Sequence, residues 1–169
     1  IMPYINNKNV LDFGCGRNAW NANTIYRYCK SIEGVEENFS VPQLVGKVNV
    51  YPSLNHIPER REFDVILALA VFEHIYPFAL IDILNKMATI CSRNAILVGT
   101  VPTPQARPIL EFLAYRLRLI DESQIRDHKV YYDDLWLLAI VRQTAWKLTA
   151  YKRFQLGINS YFVLTLNDS

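Results

Sequence analysis

The chain has 169 residues, of which 51% are apolar and 20% are charged, and its formal net charge is +2. This length suits one domain with a substantial core. The small basic excess argues against a partner such as nucleic acid that binds by charge. The longest apolar run, Val65–Phe72, is far shorter than the roughly 20 residues that span a bilayer. We therefore expect no membrane span. Three widely spaced cysteines without a Cys-x-x-Cys pair indicate free thiols, which are typical of a cytoplasmic protein.

Short β-branched runs alternate with helical patterns along the first hundred residues. In chain order, the predicted elements are a strand at Asn9–Phe13, a helix at Asn18–Cys29 capped by Asn18, a strand at Ser31–Val35, a short helix at Ser40–Val45, a strand at Lys47–Tyr51, a strand at Phe63–Ala68, a helix near Pro77–Cys91 and a strand at Asn94–Val101. The helix near Pro77–Cys91 is expected to bury one stripe, formed by Leu80, Leu84, Met87 and Cys91. This alternation predicts a doubly wound, Rossmann-like α/β sheet with three layers. The start at Ile1-Met2, only a few residues before the first strand, suggests a fragment that lacks an N-terminal element.

The last third of the chain has a different pattern. Residues 102–132 form a long insertion with an amphipathic stretch at Ile109–Ile120, and a helix is predicted near Asp133–Gln143. The runs Lys147–Phe154 and Ser160–Leu166 flank a short turn, and strands joined so closely must pair antiparallel. We therefore expect a single domain over residues 1–169, with a mostly parallel sheet and a C-terminal antiparallel hairpin.

A glycine-rich turn follows the first predicted strand. That strand ends in Asp12, and Gly14-x-Gly16 comes next, at the carboxyl end of a strand where ligands bind in open α/β sheets. The glycines let a ligand approach the main chain, and the next helix begins with free N–H groups. Glu36 ends the second strand, where its carboxylate can accept hydrogen bonds from both ribose hydroxyls of an adenosine.

Two classes of adenosine cofactor fit these residues. The pattern Gly14-x-Gly16-x-x-Ala19 satisfies the dinucleotide fingerprint, so an NAD-dependent oxidoreductase is one interpretation. Dinucleotide folds usually carry an apolar residue where Asp12 stands, the chain is too short for a second domain, and a terminal hairpin does not suit their sheet. S-adenosylmethionine is therefore the favoured cofactor.

Four segments carry a family resemblance. They are Val10–Gly16, Gly34–Glu36, Phe63–Ile75 and Ile96–Pro102, and they resemble the motifs of class I S-adenosylmethionine-dependent methyltransferases. The resemblance covers the chain from about Asn9 to Leu166 and implies a seven-stranded sheet that the terminal hairpin completes. Long insertions after a sheet strand often carry specificity, so we expect the insertion at residues 102–132 to cap the acceptor side; the alternative is that its amphipathic stretch only covers the sheet. Shorter segments, namely Thr103-Pro104, Leu110–Ala114, Arg126–Lys129 and Phe154–Asn159, are similar to a bacterial branch associated with polysaccharide or glycolipid biosynthesis.

The resemblance assigns roles to individual residues. The implied cofactor-binding set is Asp12, Gly14, Cys15, Gly16, Glu36, Glu37, Leu69 and Ala70, with Asp12 and the glycines at the methionine moiety and Glu36 at the ribose. Two positions depart from the family pattern. Asn18 stands where a third glycine is usual, and no acid follows the third predicted strand, where the family often places one against the adenine amino group. Ser53, Asn55 or the backbone is expected to substitute there.

The acceptor chemistry requires a base when the methylated group is a hydroxyl. His74 follows the predicted strand Phe63–Ala68, and His128 lies in the insertion, so both are candidate catalytic residues. Either histidine can instead be structural. Glu73 and His74 are too few ligands for a metal, and none is predicted. The sequence thus predicts a methyltransferase acting on an oxygen or nitrogen of a small-molecule or glycan-type acceptor. A non-catalytic cofactor-binding module of the same fold is the alternative.

Overall fold

The computed structural model describes residues 1–59, 61–106 and 130–167. Its strands are β1 (Asn9–Phe13), β2 (Ser31–Val35), β3 (Gln43–Val45), β4 (Val48–Tyr51), β5 (Phe63–Leu69), β6 (Cys91–Pro102), β7 (Trp146–Phe154) and β8 (Asn159–Leu166). Its α-helices are α1 (Met2–Ile5), α2 (Trp20–Ile25), α3 (Pro77–Ala88) and α4 (Asp134–Val141). Short 3-10 helices lie at Tyr26–Tyr28, Leu54–His56, Phe72–His74 and Gln155–Gly157. None of the described helices is long and apolar enough to cross a membrane.

All eight strands form one sheet in the order β3-β4-β2-β1-β5-β6-β8-β7. The five strands from β4 to β6 in this order are parallel, while β3 at one edge and β8 and β7 at the other are antiparallel. The central strands read as continuous apolar runs because helices cover both of their faces. This arrangement confirms the predicted α/β class, the mostly parallel sheet and the C-terminal hairpin.

Helices pack on both faces of the sheet, which gives the three predicted layers. On one face, α1 and α2 contribute Ile5, Ala22 and Ile25 to a core cluster with Val10 and Val65. On the other face, α3 and α4 bury a second cluster whose helical members are Leu80, Leu84, Met87, Leu137, Ile140 and Val141. The two clusters fix β1 and β5 in the centre of the domain, so their carboxyl ends are held rigidly.

The segment predicted as a short helix at Ser40–Val45 is instead an edge strand. Gln43–Val45 pairs antiparallel with β4 through a tight turn at Gly46, whose φ is +64°. The Asn23 side chain holds this turn, because it donates to the Val45 carbonyl at 3.1 Å and accepts from the Lys47 N–H at 2.8 Å. The predicted helix was wrong because six residues form no stable helix alone, whereas hairpin pairing satisfies the backbone at once. The sheet therefore has eight strands rather than seven.

Two helix boundaries also differ from the prediction. Asn18 does not cap α2, because the N-cap is Ala19, which has a left-handed φ of 43° and makes no side-chain cap bond. The helix near Pro77–Cys91 ends at Ala88, and Cys91 begins β6, so Cys91 is not part of the buried stripe of α3. The amphipathic stretch Ile109–Ile120 and His128 lie outside the described residues.

Candidate active site

A cavity of about 690 Å³ opens at the carboxyl ends of the central strands. Its wall consists of residues that follow these strands and one face of α3, namely Phe13, Gly14, Val35, Glu36, Glu37, Pro52, Ser53, Leu54, Asn55, Ala70, Val71, His74, Ile75, Asp82, Ile83 and Lys86. Ligand sites of this size are typical of small-molecule and cofactor binding, and this end of a doubly wound sheet is where such ligands bind.

The glycine turn forms one part of the cavity wall. Gly14 and Gly16 have φ angles of 73° and 72°, in the left-handed region that L side chains rarely adopt. The N–H groups of Gly14 and Cys15 both donate to the Val35 carbonyl, at 2.8 and 3.1 Å, which fixes the turn to the end of β2. A Cβ atom at Gly14 would lie 2.5 Å from Val71 Cγ2, so glycine is required for this close approach.

The Glu36 carboxylate is held beside the glycine turn. Its Oε2 accepts a hydrogen bond from the Gly16 N–H at 2.9 Å, and its Oε1 accepts from the Asn38 N–H at 3.2 Å and from the Asn38 side-chain amide. The residue is only 7% exposed, yet it lines the cavity. An ionised carboxylate offers about four lone-pair sites, so this side chain is oriented by the backbone and keeps capacity for a ligand hydroxyl.

Asp12 is a buried carboxyl group at the end of β1. It is 2% exposed, and its Oδ2 has no hydrogen-bond partner among the described residues. Burial raises the pKa of Asp12 to about 6, although the Ala22 backbone acts in the opposite direction. A buried acceptor without a donor is destabilising unless a ligand or water satisfies it. This group therefore suits a cation or an N–H donor arriving at the glycine turn.

The other predicted cofactor residues fall into two groups. Gly14, Glu36, Glu37 and Ala70 line the cavity, whereas Asp12, Cys15, Gly16 and Leu69 are adjacent to it but do not form its wall. The Ala70 backbone has a φ of 56°, and its N–H donates to the Thr100 carbonyl at 3.1 Å. This strained conformation turns the chain away from β5 and into the cavity.

Cys15 contributes packing rather than reactivity. Burial raises its pKa to about 12, and the charges of Asp12 and Glu36 add to this effect, so the thiol stays protonated at neutral pH. Its Sγ lies 2.7 Å from the position of a Cβ at Gly34. Gly34 therefore leaves the space that the Cys15 side chain needs under the turn.

The structure places His74 on the cavity wall, at the end of the 3-10 helix after β5. Glu73, the residue before it, is only 2% exposed, and burial raises the pKa of its carboxyl to about 7. Burial and then the charge of Glu73 raise the pKa of the buried Tyr132 phenol to about 12. The Tyr132 hydroxyl donates to the Ile75 carbonyl at 2.9 Å, which holds the segment around His74 against the start of α4. Of the two candidate bases, His74 thus has a place at the cavity, and His128 lies outside the described residues.

Sequence reasoning missed the contribution of α3 to the cavity. Asp82, Ile83 and Lys86 of this helix line the cavity, and Lys86 is a neighbour of both other residues on the helix surface, four residues after Asp82 and three after Ile83. Asp82 and Lys86, a charged pair four residues apart, are typical of an ordinary solvent-exposed helix face, so the sequence alone did not indicate that they line a cavity. Ser53 and Asn55, which were expected to substitute for the missing acid, also line the cavity. Within the described ranges, no group of three or more His, Cys, Asp or Glu residues is arranged to hold a metal ion.

Similar structures share this fold at low sequence identity. The pyocyanin biosynthetic protein PhzM aligns with a TM-score of 0.68 and 10% identity over 96% of this chain and 51% of its own. A SAM-dependent methyltransferase from Archaeoglobus fulgidus aligns with a TM-score of 0.66 and 16% identity over 97% of this chain and 89% of its own. The 1,6-didemethyltoxoflavin-N1-methyltransferase of Burkholderia thailandensis, with bound S-adenosylhomocysteine, aligns with a TM-score of 0.65 and 13% identity over 96% of this chain and 72% of its own.

The length of the matched proteins varies. The chain spans 64%, 51% and 51% of three of the similar structures, PhzM among them. No curated protein matches the chain in sequence. The family model described as a methyltransferase domain matches residues 4–151, which is most of the chain and includes the glycine turn, Glu36 and His74. The chain therefore belongs to the methyltransferase-domain family, as the sequence motifs predicted.

Proposed function

We propose that the chain binds S-adenosylmethionine in this cavity and transfers its methyl group to an oxygen or nitrogen of a small-molecule or glycan-type acceptor. The observation that carries this proposal is the Glu36 carboxylate, which the Gly16 N–H orients at 2.9 Å on the wall of the cavity. A carboxylate that follows the second strand in this position suits the two hydroxyls of a ribose.

The remaining contacts suit the other parts of the cofactor. The unpartnered Oδ2 of Asp12 suits support for the amino group of the methionine moiety beside the glycine turn. Leu54 and Ile83 provide apolar wall for an aromatic base. The bound S-adenosylhomocysteine of the Burkholderia protein, which shares this fold, supports the choice of S-adenosylmethionine. The 1,6-didemethyltoxoflavin that the Burkholderia enzyme binds supports a small molecule as the acceptor class.

The proposed chemistry needs few groups from the protein. The cofactor supplies an electrophilic methyl group on a sulfonium sulfur. The cavity aligns the acceptor with this methyl and excludes water. For a hydroxyl acceptor, His74 removes the proton as the new bond to carbon forms, and S-adenosylhomocysteine is the second product.

Calorimetric titration tests the cofactor assignment. We expect the wild-type chain to bind S-adenosylmethionine and S-adenosylhomocysteine, with no binding of NAD. Glu36→Gln should weaken the affinity for S-adenosylhomocysteine by about 10- to 150-fold, because one charge-assisted hydrogen bond contributes about 1.5–3 kcal/mol. Glu62→Gln, which removes the same charge at an exposed position outside the cavity, is the matched control and should bind as the wild type does. Binding of NAD alone would refute the proposal.

The role of His74 is tested separately. We expect His74→Ala to keep the wild-type affinity for S-adenosylhomocysteine within about twofold and to lose about 10²- to 10⁴-fold in turnover, which is the usual contribution of a general base. Release of S-adenosylhomocysteine with a panel of phenols, amines and saccharide precursors gives the turnover. Unchanged turnover in this variant removes His74 from the mechanism. Cofactor binding with no turnover on any acceptor supports the non-catalytic module instead.

A further inference from the structure

The turn between β7 and β8 projects at the same end of the sheet as the cavity. Pro102 at the end of β6 pairs with Asn159 at the start of β8, so this turn extends past the carboxyl end of β6. Three strand spacings, about 15 Å, separate β7 from β5 in the sheet order. The hairpin tip, defined as residues 152–159, therefore lies on the side of the domain where the cavity opens.

The hairpin tip holds a leucine in a strained conformation. Gln155, Leu156 and Gly157 have φ angles of 51°, 57° and 86°, so three successive residues are left-handed. Glycine and asparagine adopt this backbone readily, but a leucine is strained in it. Leu156 is nevertheless fully exposed and belongs to neither core cluster. Packing within the domain therefore does not explain why a leucine stands there.

Buried contacts fix this turn. The Thr103 side chain is fully buried, and its hydroxyl lies 2.6 Å from the Gly157 carbonyl and 3.0 Å from the Ile158 carbonyl. The Thr103 N–H donates to the Ile158 carbonyl at 2.8 Å, and the Ile158 N–H donates to the Gln155 carbonyl at 3.2 Å. The fold thus holds Leu156 outward, and strain that the surrounding structure imposes in this way is characteristic of functional positions.

The charges around the hairpin tip have one sign. Residues 135–167 contain no Asp or Glu and four basic residues, which are Arg142, Lys147, Lys152 and Arg153. Lys152 and Arg153 are exposed and directly precede the exposed Phe154. Because successive strand residues point to opposite faces, one cation lies on each side of β7. The hairpin tip therefore combines exposed apolar side chains with flanking positive charge.

The helices that pack against β7 place their acids elsewhere. Asp133 and Asp134 begin α4, which rises about 12 Å over its 8 residues, whereas β7 extends about 30 Å over 9. Both elements meet at residues 142–145, so these two acids lie beside the middle of β7 and not at the hairpin tip. Asp82 of α3 lines the cavity instead.

We propose that the hairpin tip docks the protein on an anionic lipid surface. Leu156 and Phe154 enter the boundary between headgroups and acyl chains, while Lys152 and Arg153 contact the lipid phosphates. Peripheral attachment needs this combination of buried apolar area and attraction to anionic lipid. A bilayer also accepts a projecting leucine without a pocket of matching shape. This proposal does not depend on the cofactor, and docking in this way turns the cavity end of the sheet toward the bilayer.

Sedimentation with lipid vesicles tests the proposal. We expect the wild-type chain to bind vesicles of equal parts phosphatidylglycerol and phosphatidylcholine, to bind phosphatidylcholine alone much more weakly, and to dissociate as salt is added. Leu156→Ala keeps the backbone strain but loses most of the apolar side chain, so it should bind about tenfold more weakly. Leu44→Ala truncates an exposed leucine on β3, at the opposite edge of the sheet, and should bind as the wild type does.

Two further variants separate docking from folding and from total charge. Leu156→Asn relieves the left-handed strain, so it should resist urea at least as well as the wild type while losing about tenfold or more in vesicle affinity. Arg153→Gln should lose about fivefold, whereas Lys147→Gln, at the other end of β7, should lose little.

Three results overturn the proposal. The first is absence of wild-type binding to the anionic vesicles. The second is undiminished binding by Leu156→Ala, or an equal loss in Leu44→Ala. The third is a wild-type dimer in vesicle-free ultracentrifugation that Leu156→Ala dissociates, which assigns the hairpin tip to a second copy of the chain. None of these results bears on S-adenosylmethionine binding, which the calorimetric titration measures separately.

Discussion

The close contact between Gly14 and Val71 gives a sharp prediction, because the chain supplies its own control. Gly14 and Gly16 have nearly equal φ angles, 73° and 72°, so alanine at either position meets the same backbone strain of roughly 1–2 kcal/mol. A Cβ at Gly14 would lie 2.5 Å from Val71 Cγ2 and 3.0 Å from Cγ1, whereas nothing lies within 4 Å of a Cβ at Gly16. The difference between the two variants therefore isolates the steric contact.

Overpacking of this kind costs about 1–3 kcal/mol, so Gly14→Ala should lose that much more unfolding free energy than Gly16→Ala. Urea unfolding of the cofactor-free chain measures both losses. Val71→Ala removes both methyl groups and leaves its own Cβ at 3.3 Å, so in that background the two alanine variants should become nearly equal. Equal losses in the wild-type background, or no recovery with Val71→Ala, would refute the reasoning.

Two further predictions concern buried polar groups. Burial raises the pKa of Glu73 from 4.5 to about 7, so the stability that its protonated carboxyl contributes is complete below pH 4.5 and is lost as the pH rises to 7. Glu73→Gln mimics the protonated form at every pH. In urea unfolding, its free energy of unfolding should equal that of the wild type near pH 4 and exceed it by roughly 3 kcal/mol at pH 8. A gap that does not widen with pH would contradict this. The Trp146 indole N–H donates to the Leu84 carbonyl at 2.7 Å, so Trp146→Phe should cost about 1–3 kcal/mol in urea unfolding, while the half-exposed Trp136→Phe should change little.

The central strands were predictable because of where they lie in the domain. β1 and β2 have the predicted bounds, and β5 differs from its prediction by one residue. Helices cover both faces of this part of the sheet, so the strands are short runs of apolar residues that read clearly in the sequence. Gly14 and Glu36 were found for a related reason, because strand order brings the ends of β1 and β2 together.

The edges of the fold were less predictable. The β3 strand depends on Gly46 and on the Asn23 side chain, which comes from another part of the chain. The start of α2 follows from a left-handed Ala19, so the capping preference of Asn18 was not decisive. In both cases a tertiary contact or a turn outweighed a weak local propensity, which is the usual limit of local patterns.

The sequence by itself determined the α/β class, the terminal hairpin, the glycine turn with the Glu36 carboxylate beside it, and the methyltransferase family. These features depend on periodicity and on residues that are near one another along the chain or along adjacent strands. Only the tertiary structure decided that Val71 closes on Gly14, that the Glu73 carboxyl is buried, and that Asp82 of α3 lines the same cavity as the loop after β4. Each of these depends on how a helix or turn packs across the sheet, and such packing is set by the shapes of distant side chains rather than by any local pattern.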